Sequence, residues 1–146
     1  MKNLSISLVI MLMISATAWA ARTGDDIQKD LNKAAKTSVE IYNKSGMAGL
    51  IGETEKCYVN SKINKFYCVY FDLASRHIDQ IMVEAAAKQG MTFPKTEFFD
   101  DELFGSRIGP VFANANMDMD KSNKYLQKMT PLVNKMVENY IYRKKK

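Results

Sequence analysis

The chain has 146 residues, with 21 basic and 16 acidic side chains and a formal charge of +5, too dilute for the dense basic stripe of a nucleic-acid binder. Its two cysteines and one histidine exclude zinc sites built wholly from several cysteine and histidine ligands. The first twenty residues, MKNLSISLVIMLMISATAWA, set Lys2 before an apolar run from Leu8 to Ile14 and close on Ala18, Trp19 and Ala20, the pattern of a secretory signal with an A-x-A cleavage site.

That apolar run is shorter than the roughly 20 residues a bilayer-spanning helix needs. The expectation is therefore an exported, periplasmic chain with no stable membrane anchor, a cleaved segment over 1–20 and a single domain over 21–146. In TGDDIQKDLNKAAKTSVEIYNKSG, residues Ile27, Leu31, Ala34, Ala35, Ser38 and Tyr42 recur every three or four positions. The spacing predicts an amphipathic helix with Thr23 or Asp25 as N-cap and Gly46 as its stop. Met47, Leu50, Ile51, Thr54, Cys57 and Tyr58 continue the spacing as a shorter second helix ending near Asn60, although Gly49 and Gly52 are weak helix formers.

From Ile63 the apolar positions Phe66, Tyr67, Tyr70, Leu73, Ala74, His77, Ile78, Ile81 and Ala85 predict one long helix over about 62–89, stopped by Gly90. The segment FYCVYF is also rich in strand-forming types, so a short strand, a β-hairpin over 57–71 and a helix capped by Asp72 form the alternative. Residues 91–120 read as a connection punctuated by Pro94, Gly105, Gly109 and Pro110, with Thr96 capping a short helix through Phe104. Asp118 is positioned to cap the last helix, whose stripe runs from Tyr125 to Ile141; Pro131 predicts a kink or a restart at Thr130 and Pro131. The whole is an all-α bundle of about five helices.

Two cysteines in an exported chain predict a disulfide between Cys57 and Cys68, joining the second and third helices. Ten intervening residues do not suit a redox pair, and a bridge removes both thiols from nucleophile chemistry. His77 lies on an apolar stripe and reads as a partly buried imidazole bonded to a neighbour. No G-x-S-x-G or equivalent presents a nucleophile. DMDKSN resembles the opening of a calcium loop, yet Asn123 and Met129 stand where the template needs Gly and Glu. No metal site and no cofactor motif follow.

Glu97, Asp100, Asp101 and Glu102 form an acidic, aromatic-flanked segment, TEFFDDELF, suited to a basic partner. The terminal IYRKKK, with Arg143 and Lys144, suits an anionic one, and the two together suit head-to-tail contact between copies, so a homo-oligomer is a further expectation. Tyr58 and Tyr67 flank the cysteines and complete the set of partner-binding candidates.

CVYFDLASRHIDQIM followed by PKTEFFDDELFGSRIG resembles, in layout, the periplasmic immunity proteins that neutralise cell-wall-degrading effectors of the type VI secretion system. The resemblance implies binding to a secreted hydrolase and steric occlusion of its cleft, with no catalytic residue of its own. Two other expectations stand beside it. One is an envelope chaperone or stress adaptor with a methionine-rich surface. The other is a carboxylate-dependent envelope hydrolase, in which Glu84 or Asp79 would face Glu97 across a cleft.

Overall fold

The structure, a computed structural model, describes residues 23–143. The expected leader over 1–20, its expected cleavage site and Lys144 lie outside the described residues. Four α-helices follow in order: α1 at Gly24–Val59, α2 at Lys65–Lys88, α3 at Asp101–Asn114 and α4 at Met119–Arg143, with a 3₁₀ turn at Glu97–Phe99 before α3. No strand occurs among the described residues, so the chain is all-α there and the β-hairpin alternative falls.

Thr23, not Asp25, begins α1. Its hydroxyl accepts from the Asp26 N–H at 3.2 Å while its own N–H reaches the Asp26 carboxylate at 3.3 Å, so two of the first free donors of the helix are satisfied reciprocally. The expected stop at Gly46 is instead a break inside one helix, and the five expected helices are four. Gly46 sits at φ 62°, ψ −159°, a region essentially reserved for glycine. The break lets Leu31, Ala34, Ala35 and Val39 before it, and Leu50, Thr54 and Cys57 after it, all bury. Gly49 fits under the same break, since a Cβ there would lie 2.5 Å from Ser45 Cβ.

Asn64 caps α2 by accepting from the Phe66 N–H at 3.0 Å. Residues 68–75 are all buried, so α2 is enclosed around its circumference, as a helix apolar on every side must be. That is why FYCVYF reads equally as a strand: a short continuous apolar run carries no periodicity to separate the two. At its other end Gly90, at φ 71°, turns the chain, and the N–H of Met91 returns to the Ala86 carbonyl at 3.0 Å.

The stretch before α4 departs most from expectation. Thr96 makes no side-chain cap bond; Asp100 caps α3 instead, accepting from the Leu103 N–H at 2.7 Å. The helix expected to end at Phe104 continues through Gly105, Gly109 and Pro110 to Asn114. Burial of Phe104, Ile108, Val111 and Phe112 on one face outweighs the weak propensity of the glycines. The carbonyl that Pro110 leaves without a donor belongs to Ser106, which is exposed to water. Asn116, at φ 55°, ends the helix in the left-handed conformation asparagine tolerates.

Asp118 accepts from the Lys121 N–H at 2.8 Å and starts α4 as expected, but α4 runs unbroken in assignment through Pro131, with no second helix there. Its buried Met129, Val133 and Val137 face the bundle, where α1, α2 and α4 pack on one another and α3 with the 3₁₀ turn covers α2. The buried hydroxyls of Ser38, Thr54 and Ser75 donate to carbonyls of their own helices, so they bury without an orphaned donor.

Cys57 and Cys68 are bonded, with Cα atoms 5.6 Å apart, joining the last turn of α1 to the first turn of α2. Lys65 reinforces that corner, its ammonium donating to the carbonyls of Tyr58 at 2.6 Å, Asn60 at 2.8 Å and Cys57 at 3.3 Å. A cation is thereby set on the free acceptors at the negative end of α1. Replacing both cysteines by serine is expected to lower unfolding free energy by about 3 kcal/mol, read as a shifted urea midpoint. Gly46→Ala is expected to cost about 1–3 kcal/mol in the same measurement, because alanine must occupy a glycine-only backbone conformation.

Candidate functional site

Asp72 and Arg107 form a buried ion pair at the centre of the α1, α2 and α3 junction. The guanidinium meets the carboxylate through two bonds, Nε to Oδ2 at 2.8 Å and Nη2 to Oδ1 at 3.0 Å, while Nη1 donates to the Phe98 carbonyl at 2.9 Å. Its flat face lies 4.1 Å from the centre of the Phe98 ring. Tyr58 donates its hydroxyl to Asp72 Oδ2 at 3.2 Å. Burial raises the Asp72 carboxyl above its ordinary range, and Arg107 is the main influence pulling it back. Burial, followed by the neighbouring Asp72 charge, pushes the Tyr58 phenol far upward, so it serves as a neutral donor.

Above this network lies an open groove of about 570 Å³ between the end of α1, the 3₁₀ turn and the start of α3, lined by Tyr58, Val59, Phe98, Leu103 and Arg107, with Glu55 on its edge. Val59 is 82% exposed and Leu103 40% exposed, an apolar pair on a clamped corner. The acidic segment runs along the same junction: Glu97 is exposed on the 3₁₀ turn, Asp101 and Glu102 are exposed on the first turn of α3, and Asp100 spends one oxygen on its cap. Asp101 also meets Arg76 of α2, whose guanidinium covers the Phe104 ring at 4.1 Å.

Of the sequence-derived candidates, only Tyr58 lines this groove; Glu97, Asp100 and Glu102 belong to the adjoining turn and helix start without lining it, and Asp101 reaches Arg76, which lines the groove between α2, α3 and α4. The fold does not place Tyr67 with them. Tyr67 is half-buried on the other side of the disulfide, in a smaller groove with Lys33, Thr37 and Ile41, where the Lys33 ammonium lies 5.4 Å from its ring centre. Arg143 is exposed at the far end of α4. Asp72 is a buried ion-pair member in the middle of α2, not a cap. Arg107, Val59 and Leu103 were not singled out by sequence reasoning. A signal for the first existed: Arg107 lies within the stretch of Phe104, Ile108 and Val111 as Asp72 separates FYCVYF from Leu73 and Ala74, two opposite charges set among apolar residues.

Another groove, of about 620 Å³, lies between α2, α3 and α4 on an apolar floor of Leu73, Val83, Phe104 and Leu126, with His77, Glu84 and Lys95 also lining it. The imidazole of His77 is 12% exposed and meets Glu138 of α4 through Nε2 at 3.0 Å, a neighbour across the bundle. Facing a carboxylate, Nε2 carries the hydrogen; Nδ1 is buried and without a partner among the described residues. The ring's one acceptor is then Nδ1, which is closed off from solvent. Asp79, the carboxylate expected to face Glu97, is buried and takes both the hydroxyl of Thr96 at 2.6 Å and its N–H at 3.2 Å, anchoring the connection to α2. Glu84 accepts from Gln80 at 2.8 Å on the exposed side of α2, and Glu97 does not line that groove. Among the described residues no group of three His, Cys, Asp or Glu side chains is placed to hold a metal ion.

No protein-family model, curated protein or solved structure matches this chain.

Arg107→Ala leaves the Asp72 charge buried and unpaired, and is expected to cost about 3–5 kcal/mol in denaturant unfolding. The cost should shrink as pH falls. Burial raises the folded-state Asp72 carboxyl and losing Arg107 removes the main influence opposing it, so the charge penalty is greatest above the folded-state pKa and disappears once both states are protonated, below the ordinary carboxylate range, leaving the cost of the lost Phe98 contacts.

Proposed function

We propose that this chain is a non-catalytic periplasmic binding protein, an immunity-type inhibitor that occludes the cleft of a secreted cell-wall-degrading hydrolase. The observation that carries the reading is the groove over the Asp72–Arg107 pair: exposed Val59 and Leu103 stand on a corner tied by a disulfide, an ion pair and Lys65, with Glu55 in its lining and exposed Glu97 and Glu102 on the adjoining turn and helix start. An apolar centre with a polar rim is the anatomy of a protein interface, and a surface rigid before binding loses little freedom on association. The acidic rim suits a partner with a basic patch beside a protruding apolar residue.

The carboxylate-hydrolase alternative loses Asp79 to Thr96. The chaperone alternative is less supported because Met129 is core and the exposed Met91 and Met119 sit apart, one on the connection after α2 and one at the first residue of α4. Export through a cleaved leader belongs to the same proposal, as does any self-association.

The test is titration of the chain lacking residues 1–20 into peptidoglycan hydrolases recovered with it from envelope extract, followed by turnover of peptidoglycan. Stoichiometric loss of hydrolase activity is expected. Val59→Asp with Leu103→Asp should weaken binding by at least about 30-fold, the loss typical of central interface residues, with an unchanged melting midpoint because both side chains are exposed. Recovery of no stoichiometric partner, together with substrate turnover by the chain itself, would overturn the reading.

A further inference from the structure

We infer that the outward face of α4 docks on an anionic bilayer, held by charge and not by insertion. Lys128, Leu132, Lys135, Asn139, Tyr142 and Arg143 are all exposed, at steps of three, four and seven residues that repeat one side of a helix. The opposite side carries Met129, Val133 and Val137, which are buried. Because the apolar side is already spent on the bundle, this helix has none left to sink between lipid chains, unlike an amphipathic anchor.

The cations of this face are not spent on neighbours. At the start of α4, Lys121 pairs with Asp118 at 3.3 Å and Lys124 with Asp120 at 3.2 Å, which neutralises the first two turns. Lys128, Lys135 and Arg143 form no ion pair among the described residues, and Glu138, the one acid after Lys121, is engaged by His77. Free positive charge therefore accumulates toward the C-terminal half, and three further lysines follow it in the sequence. The helix dipole accounts for cations only in the last turn, whereas Lys128 and Lys135 stand two to four turns earlier.

A membrane suits the shape better than an acidic protein does. The exposed face follows one helix from Lys128 to Arg143, about 22 Å at 1.5 Å per residue with Pro131 within it, and cations spread over that length meet a charged plane at several points. Tyr142, 55% exposed, lies among the cations, and tyrosine favours the headgroup level of a bilayer. Among the described residues no helix is long and apolar enough to cross a membrane, consistent with a surface contact.

The test is co-sedimentation of the chain lacking residues 1–20 with vesicles of phosphatidylcholine alone or with about one third phosphatidylglycerol. Binding to the anionic vesicles at 20 mM salt, at least a tenfold loss at 300 mM as the charges are screened, and no binding to phosphatidylcholine are expected. Lys128→Ser with Lys135→Ser should weaken binding about 25-fold, near fivefold per cation removed, with an unchanged melting midpoint. No binding at 20 mM salt, equal binding to both vesicles, or an unaffected double variant would overturn the inference. So would binding lost on deleting residues 144–146 yet intact in the double variant, which would assign it to the tail. Retention by immobilised polyglutamate with no vesicle binding would also overturn it, in favour of an acidic protein. Val59→Asp with Leu103→Asp should leave vesicle binding unchanged, so this face and the inhibitory groove fail or succeed separately.

Discussion

The architecture depends on one buried ion pair. Asp72 sits in the middle of the enclosed helix α2, where an unpaired carboxylate would be too costly to keep. Arg107 meets it with the planar fork that carboxylates accept in two bonds. The same guanidinium holds the Phe98 carbonyl and covers the Phe98 ring, which sets the 3₁₀ turn against α3. Tyr58 brings in the end of α1. Three helices and a turn thus converge on a single charge that cannot be moved independently of any of them.

The disulfide acts on the same corner from outside. Cys57 precedes Tyr58 by one residue, and Cys68 lies one helical turn before Asp72, so the covalent bridge and the ion pair constrain the same two helix ends. Lys65 adds a third tie through the carbonyls that α1 leaves free. The apolar groove owes its fixed shape to these ties: Val59 and Leu103 have little opportunity to fold inward, since the positions behind them are already filled.

The polar residues suited to chemistry have mostly become structure. Asp79 holds the connection through Thr96, His77 joins α2 to α4 through Glu138, Arg76 lies on Phe104, and Asp100 caps α3. Among the charges left open to solvent, Glu97, Asp101 and Glu102 stand at the 3₁₀ turn and the start of α3, and Lys128, Lys135 and Arg143 along the outward side of α4.

Much of this was legible in the residues. Local rules of spacing, capping and pairing yield α4 and the part of α2 beyond FYCVYF within a few residues, Thr23 as one of two N-cap candidates with Asp25, the cap at Asp118 and the Cys57–Cys68 bridge, while FYCVYF itself stayed open between helix and strand. α3 was not legible beyond Phe104: local propensity at Gly105, Gly109 and Pro110 argues against helix, and only burial against α2 reverses it. Acidic residues 97–102 were visible as a cluster, but not that Val59, distant in sequence, completes a groove beside them. Sequence by itself therefore determined the helical class, the staple and the charge of each segment, all of which arise from neighbours along the chain. Tertiary structure decided which charges are buried and which remain free, since the Asp72–Arg107 pairing depends on residues 35 positions apart meeting in a medium that tolerates neither alone.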